Sequence, residues 1–110
     1  MGKMQTLNGL AALGQETRLD VFRLLVQVGP TGMPAGEIAE RLGVKQNTMS
    51  ANLSVLAHAG LVRTEREGRS IRYFADMDGL KGLLSYLMEN CCGGAPELCQ
   101  PVIDKLTCCC

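Results

Sequence analysis

Apolar positions recur along this chain at two different spacings, and the change between them marks out the elements. Met4 to Leu13 is predicted as a short helix with Leu7, Leu10 and Ala11 on one side. Glu16 to Val28 is richer still: Leu19, Val21, Phe22, Leu24, Leu25 and Val28 predict a central, buried helix. Gly29-Pro30-Thr31-Gly32 breaks it. Pro34 stands where a helix can begin, and Ala35 to Leu42 turn Ile38, Ala39 and Leu42 inward before Gly43. In the stretch from Val44 to Val62, Met49, Leu53, Leu56 and Ala57 keep the i, i+4, i+7, i+8 spacing of a buried stripe, and Gly60 stops the helix. The pattern then becomes extended: Leu61 to Glu65 and Ser70 to Ala75 read as strands around Arg66-Glu67-Gly68-Arg69. Helical spacing returns from about Asp78 to Cys91 through Leu80, Leu83, Leu84, Leu87 and Met88, until Gly93-Gly94-Ala95-Pro96 breaks it. Glu97 to Leu106 has room for one or two further helical turns.

The expected order is therefore α-α-α-α-β-β-α, mainly α with a β-hairpin. Two short helices joined through a glycine turn and followed by an arginine-bearing hairpin describe a winged helix-turn-helix. Residues 1–92 are expected to form that domain and 93–110 a cysteine-rich tail.

The outer face of the 44–62 helix gives the first hint of chemistry. Asn47, Ser50, Ala51 and Ser54 lie there, with Lys45, Gln46 and Thr48 at the helix start. A solvated helix face ordinarily carries Lys and Glu. This one carries small, amide and hydroxyl side chains, which can approach another surface closely and hydrogen-bond to it, as base edges in a DNA major groove require. Arg66 and Arg69 at the hairpin tip are candidate backbone or minor-groove contacts. Composition gives no support by itself, because 11 Lys and Arg balance 11 Asp and Glu. Only the local distribution is positive: Lys45, Arg63, Arg66, Arg69 and Arg72 stand against Glu65 and Glu67 between Val44 and Ala75. One His and no phosphate-binding glycine loop argue against an enzyme. No apolar run is long enough for a membrane span, and the start lacks a signal-peptide pattern, so a cytoplasmic protein is expected. Its six cysteines are then expected to be thiols. All lie in the last twenty residues: Cys91, Cys92, Cys99, Cys108, Cys109 and Cys110.

These motifs together bring a family into view. QNTMSANLSVLAHAGLV, through Ser50, Leu53, Leu56, Ala59, Gly60, Leu61 and Val62, resembles the recognition-helix segment of the ArsR/SmtB family of metal-sensing repressors. The wing REGRSIRYF and the early Glu16-Thr17-Arg18-Leu19 are similar to the family's as well, over about residues 5 to 90. The resemblance implies a homodimer, built on the first and last helices, that binds an inverted repeat in double-stranded operator DNA. It also implies where a metal would bind. The helix before the recognition helix, PAGEIAERL, has no cysteine, and the last helix has Asp76, Asp78 and Glu89 but no His. Cys91, Cys92 and Cys99 instead resemble a subgroup whose arsenite site is an adjacent cysteine pair plus a third cysteine several residues on.

Three thiols suit that ligand. As(OH)3 is neutral at pH 7, and three thiols replace its three hydroxyls, releasing three waters and leaving a neutral As–S3 pyramid. Soft sulfur selects soft centres, so Sb(III) fits the same logic and lead or cadmium is not excluded. No permanent cofactor is expected; As(III) acts as inducer. A tetrahedral zinc site would ordinarily show paired Cys-x-x-Cys arms, which are absent. Cys91 alone would read as core, since it continues the leucine stripe; Cys92 and Cys99 fit no stripe. Cys108, Cys109 and Cys110 lie outside the resemblance and read as a second soft-metal site, a frayed tail or a redox liability. Two other functions share these residues: a thiol redox switch on the same DNA-binding module, and a metalloid-binding protein that uses the winged helix for protein contacts.

Overall fold

A computed structural model describes residues 2–89 and 96–106 of the 110-residue chain. The elements run α1 (Lys3–Leu13), α2 (Glu16–Val28), a 3-10 turn (Gly29–Thr31), β1 (Met33–Pro34), α3 (Ala35–Leu42), α4 (Gln46–His58), β2 (Val62–Glu67), β3 (Ser70–Ala75), α5 (Met77–Leu87) and α6 (Pro96–Lys105). This is the expected winged helix, with one strand and one helix added.

The core is built on α2 and α4. Val21 and Leu25 of α2, Ile38 of α3, Met49, Leu53 and Leu56 of α4 and Leu61 after it are fully enclosed, and Phe22 is nearly so. Each such side chain contributes about 1.5–3 kcal/mol by leaving water, so the helix-turn-helix is held mainly from behind. The stripe of α4 differs from expectation at one edge. Ala57 is exposed, whereas Asn52 and Ala59 are buried. The stripe is centred on Met49, Leu53 and Leu56, and at 3.6 residues per turn that centre brings position 52 inside and leaves 57 beyond the rim.

Both helices of the motif end in the same way. The N–H of Gly43 reaches Glu40 O and that of Val44 reaches Ala39 O, at 3.3 and 2.9 Å. The N–H of Gly60 reaches Ala57 O and that of Leu61 reaches Leu56 O, both at 3.1 Å. These paired bonds are Schellman caps, and each needs a left-handed residue, here Gly43 (φ 66) and Gly60 (φ 78).

The hairpin has β2 antiparallel to β3, from Val62 opposite Ala75 to Glu67 opposite Ser70. The turn is thus only Gly68-Arg69, tighter than the four residues that the sequence suggested. The sheet order is β1-β3-β2, with Met33 opposite Tyr73. A two-residue strand containing Pro has no readable period, and the sequence reading lacked it.

α1 lays its small residues against the core: Thr6, Gly9 and Ala12 are buried. Its Leu7 and Leu10 point away, at 49% and 42% exposure. α5 begins with Asp76 as N-cap, whose carboxylate accepts from the Gly79 N–H at 3.1 Å. It ends at Leu87, short of the Cys91 to which the leucine pattern extends. Leu83 is buried in the protomer, where a side chain added at Gly9 would strike it. Leu84 and Leu87 are exposed. Leu83 therefore belongs to the protomer's own core. Among the described residues no helix is long and apolar enough to cross a membrane.

Candidate nucleic-acid interface

The outer face of α4 is open along its whole length. Lys45, Gln46, Asn47, Thr48, Ser50, Ala51 and Ser54 are all exposed, while Met49 and Leu53 between them are fully buried. Burial of one face thus fixes the rotation of the other. The first turn is also chemically open. Its N-cap, Lys45, makes no side-chain cap bond. Asn47 Oδ1 accepts from the Thr48 N–H at 2.9 Å, and the N–H groups of Gln46 and Asn47 find no acceptor among the described residues. Unsatisfied donors at a helix N-terminus favour an anion such as a backbone phosphate.

The four wing arginines separate into two pairs. Arg63 bonds Glu65 at 2.9 Å and lies over the Phe74 ring, 4.5 Å from its centroid. Arg72 donates to Thr31 O at 3.0 Å and Gly32 O at 3.3 Å, tying β3 to the loop before β1. Those two guanidinium groups are engaged within the wing and its neighbouring loop. Arg66 and Arg69 are exposed beside the Gly68 turn and have no carboxylate within salt-bridge distance among the described residues. Among the described residues they are the wing's two arginines without a carboxylate partner.

One device behind α4 was not recognised from sequence. Arg18, near the start of α2, donates from Nε to Ala12 O at 2.7 Å and from Nη2 to Ala11 O at 3.4 Å, and so caps the end of α1. Its Nη1 reaches Asn52 Oδ1 at 3.5 Å. One guanidinium therefore joins α1, α2 and the inner face of the exposed helix. The available signal was Asn52 itself, an amide inside an apolar stripe, which requires a specific partner.

A family model described as a helix-turn-helix domain matches residues 13–65. The uncharacterized HTH-type transcriptional regulator MJ1325 of Methanocaldococcus jannaschii is 32% identical over 78 residues, covering 71% of this chain and 85% of its own length. The solution structure of Mb0332 from Mycobacterium bovis superimposes with a TM-score of 0.63 at 31% identity, over 78% of this chain and 80% of that one. It is described as a homodimeric winged helix-turn-helix DNA-binding domain of a possible ArsR-family transcriptional regulator. The chain belongs to the ArsR family. A further similar structure is a crystal structure described as a possible transcriptional regulator for arsenical resistance. It matches with a TM-score of 0.65 at 27% identity, over 88% of this chain and 95% of that one.

As an ArsR-family member this chain is a DNA-binding transcriptional regulator, and α4 with the wing tip is its candidate DNA-facing surface. The expected thiol cluster is a separate matter. Cys91, Cys92, Cys108, Cys109 and Cys110 lie outside the described residues. Cys99 falls within α6, so its segment is helical for ten residues, longer than the one or two turns expected.

Proposed function

We propose that this ArsR-family protein is an arsenite-responsive repressor, a homodimer that holds an imperfect inverted repeat and releases it when Cys91, Cys92 and Cys99 bind As(III). The observation that carries the reading is the placement of the cysteines in the chain. Every one follows α5, and none lies in the five helices and the wing that make up the DNA-binding fold. Thiol chemistry can then act on the regulator without touching the DNA-facing side chains. The similarity to a possible arsenical-resistance regulator supports the same ligand.

The binding step balances simply: three thiols and As(OH)3 give As(SR)3 and three waters. The exposed α1 face (Met4, Leu7, Leu10) and the exposed α5 residues Leu84 and Leu87 supply the apolar surface for a second copy. Coupling requires arsenic to favour the DNA-free arrangement, with a typical difference of about 1–3 kcal/mol.

The test is an electrophoretic shift on the chain's own upstream DNA, titrated in parallel with arsenite, antimonite, lead, cadmium, zinc and peroxide. Arsenite is expected to release the DNA. Single Cys91→Ser, Cys92→Ser and Cys99→Ser substitutions should leave DNA binding intact and abolish that release. Removing Cys108, Cys109 and Cys110 together should change little. Release by peroxide but not arsenite would replace this reading with a thiol redox switch. Loss of response on removing the last three cysteines, with a normal response in Cys99→Ser, would move the sensor to the terminus.

A further inference from the structure

Between α1 and the second half of α4 lies an open cleft of about 350 Å³. Ala12 and Ala59 contribute to its walls, and its polar lining is Asn8, Arg18, Ser54 and His58. Among the described residues no carboxylate lines it. Arg18 is half-buried, and no acidic side chain lies within salt-bridge distance of it among the described residues. Its three hydrogen bonds go to two carbonyls and one amide, so among the described residues its positive charge has no counter-charge. A half-buried cation is ordinarily paired. Here the remaining space is open, and the neighbouring groups are an amide, a hydroxyl and an imidazole. All of these can donate to an oxyanion, the imidazole when protonated. The His58 ring is held in place, because Nδ1 bonds the Ser54 carbonyl at 2.9 Å. A carbonyl only accepts, so Nδ1 carries the hydrogen and Nε2 is left for a further partner.

We infer that this cleft is an anion seat, and that its occupant is a phosphate of the DNA backbone at the α1 side of the recognition helix. Ser54 places it there: the residue lies on the outward face of α4 and also on the rim of the cleft. A duplex lying along Asn47, Ser50 and Ser54 must run past that rim. The contact would fix the far half of α4 on the backbone, complementing the open N-terminal turn at the other end. It would read no sequence, because phosphate contacts position a protein without identifying bases. The inference rests on the DNA-binding reading of α4 but not on arsenite.

The test is the salt dependence of DNA binding by Asn8→Asp, with Arg18→Gln beside it and circular dichroism as a check on folding. Asn8 is exposed, so Asn8→Asp keeps the fold and places a carboxylate where the phosphate would sit. It is expected to weaken binding about tenfold on specific and random duplexes alike, and to lower the slope of log K against log salt by about 0.9. An unchanged slope in Asn8→Asp overturns the inference while leaving the regulator's function intact. A separate arm follows the His58 ring signals by NMR during titration with inorganic phosphate at constant ionic strength. Signals that move at millimolar phosphate, together with an unchanged DNA slope, would show that the cleft takes a free anion and not the duplex. A wild-type chain that binds no duplex would overturn this inference and the DNA-binding reading together.

Discussion

Gly79 has no space for a side chain. A Cβ built there would run into the carbonyl of Gly60, backbone against backbone, where neither partner can turn aside. Gly79→Ala should therefore destabilise the fold by about 1–3 kcal/mol, read as a lowered midpoint in urea; an unchanged midpoint would mean that this contact is loose. Asp76→Ala removes the N-cap bond of the same helix and should cost about 1 kcal/mol, seen in the same assay. Neither glycine announced itself as a contact in the sequence. Gly60 was legible as a helix stop, because a left-handed cap is a local requirement. Its fit to Gly79 depends on how two elements nineteen residues apart come together, and no local pattern encodes that. Arg18 and Asn52 were hidden for the same reason, since their pairing joins helices distant in sequence.

At the scale of elements, α3, α4 and the hairpin were the most legible. Helical spacing, two terminal glycines and a Gly68 turn each leave a mark within a few residues. The division of the wing arginines was not legible. Alternation along β3 says which side Arg72 is on, but not that two carbonyls of the loop before β1 wait there. The division predicts opposite phenotypes. Arg69→Ala should weaken DNA binding on all sequences and lower the salt slope by about 0.9, with the melting temperature unchanged. Arg72→Ala should lower the melting temperature and leave the slope alone. Equal slopes in Arg69→Ala and wild type would remove the wing tip from the interface.

For the whole molecule, the apolar side of α1 that the sequence displayed turns out to be its outer side. A period locates a stripe without saying what covers it. Thr6, Gly9 and Ala12, too small to look like a core, are what α1 turns inward, while Met4, Leu7 and Leu10 with Leu84 and Leu87 remain uncovered. If these faces form the proposed dimer, Leu10→Asp or Leu87→Asp should shift sedimentation to the monomer while circular dichroism stays native. An intact dimer in both variants would place the interface elsewhere. The candidate DNA face was readable because one helix carries most of it. The thiol cluster was readable as chemistry alone, and apart from the backbone of Cys99 its residues lie outside those described.

The Gly60–Gly79 contact also has a mechanical meaning. Gly60 closes the recognition helix and Gly79 lies in the first turn of α5, and the Asp76 N–H bonds Leu61 O at 2.8 Å beside them. With no side chains between them to yield, the contact behaves as a hinge pin, and α5 is its handle. From Gly79 to Leu87 the helix makes an arm of roughly 12 Å, so a tilt of about 10° moves the free end by roughly 2 Å. Read in reverse, a pull of about 2 Å on the end of α5 would reach α4 through this contact as a small rotation. In the proposed dimer, such a rotation in one protomer, opposed in the other, would take the two recognition helices out of step with the helical repeat of DNA.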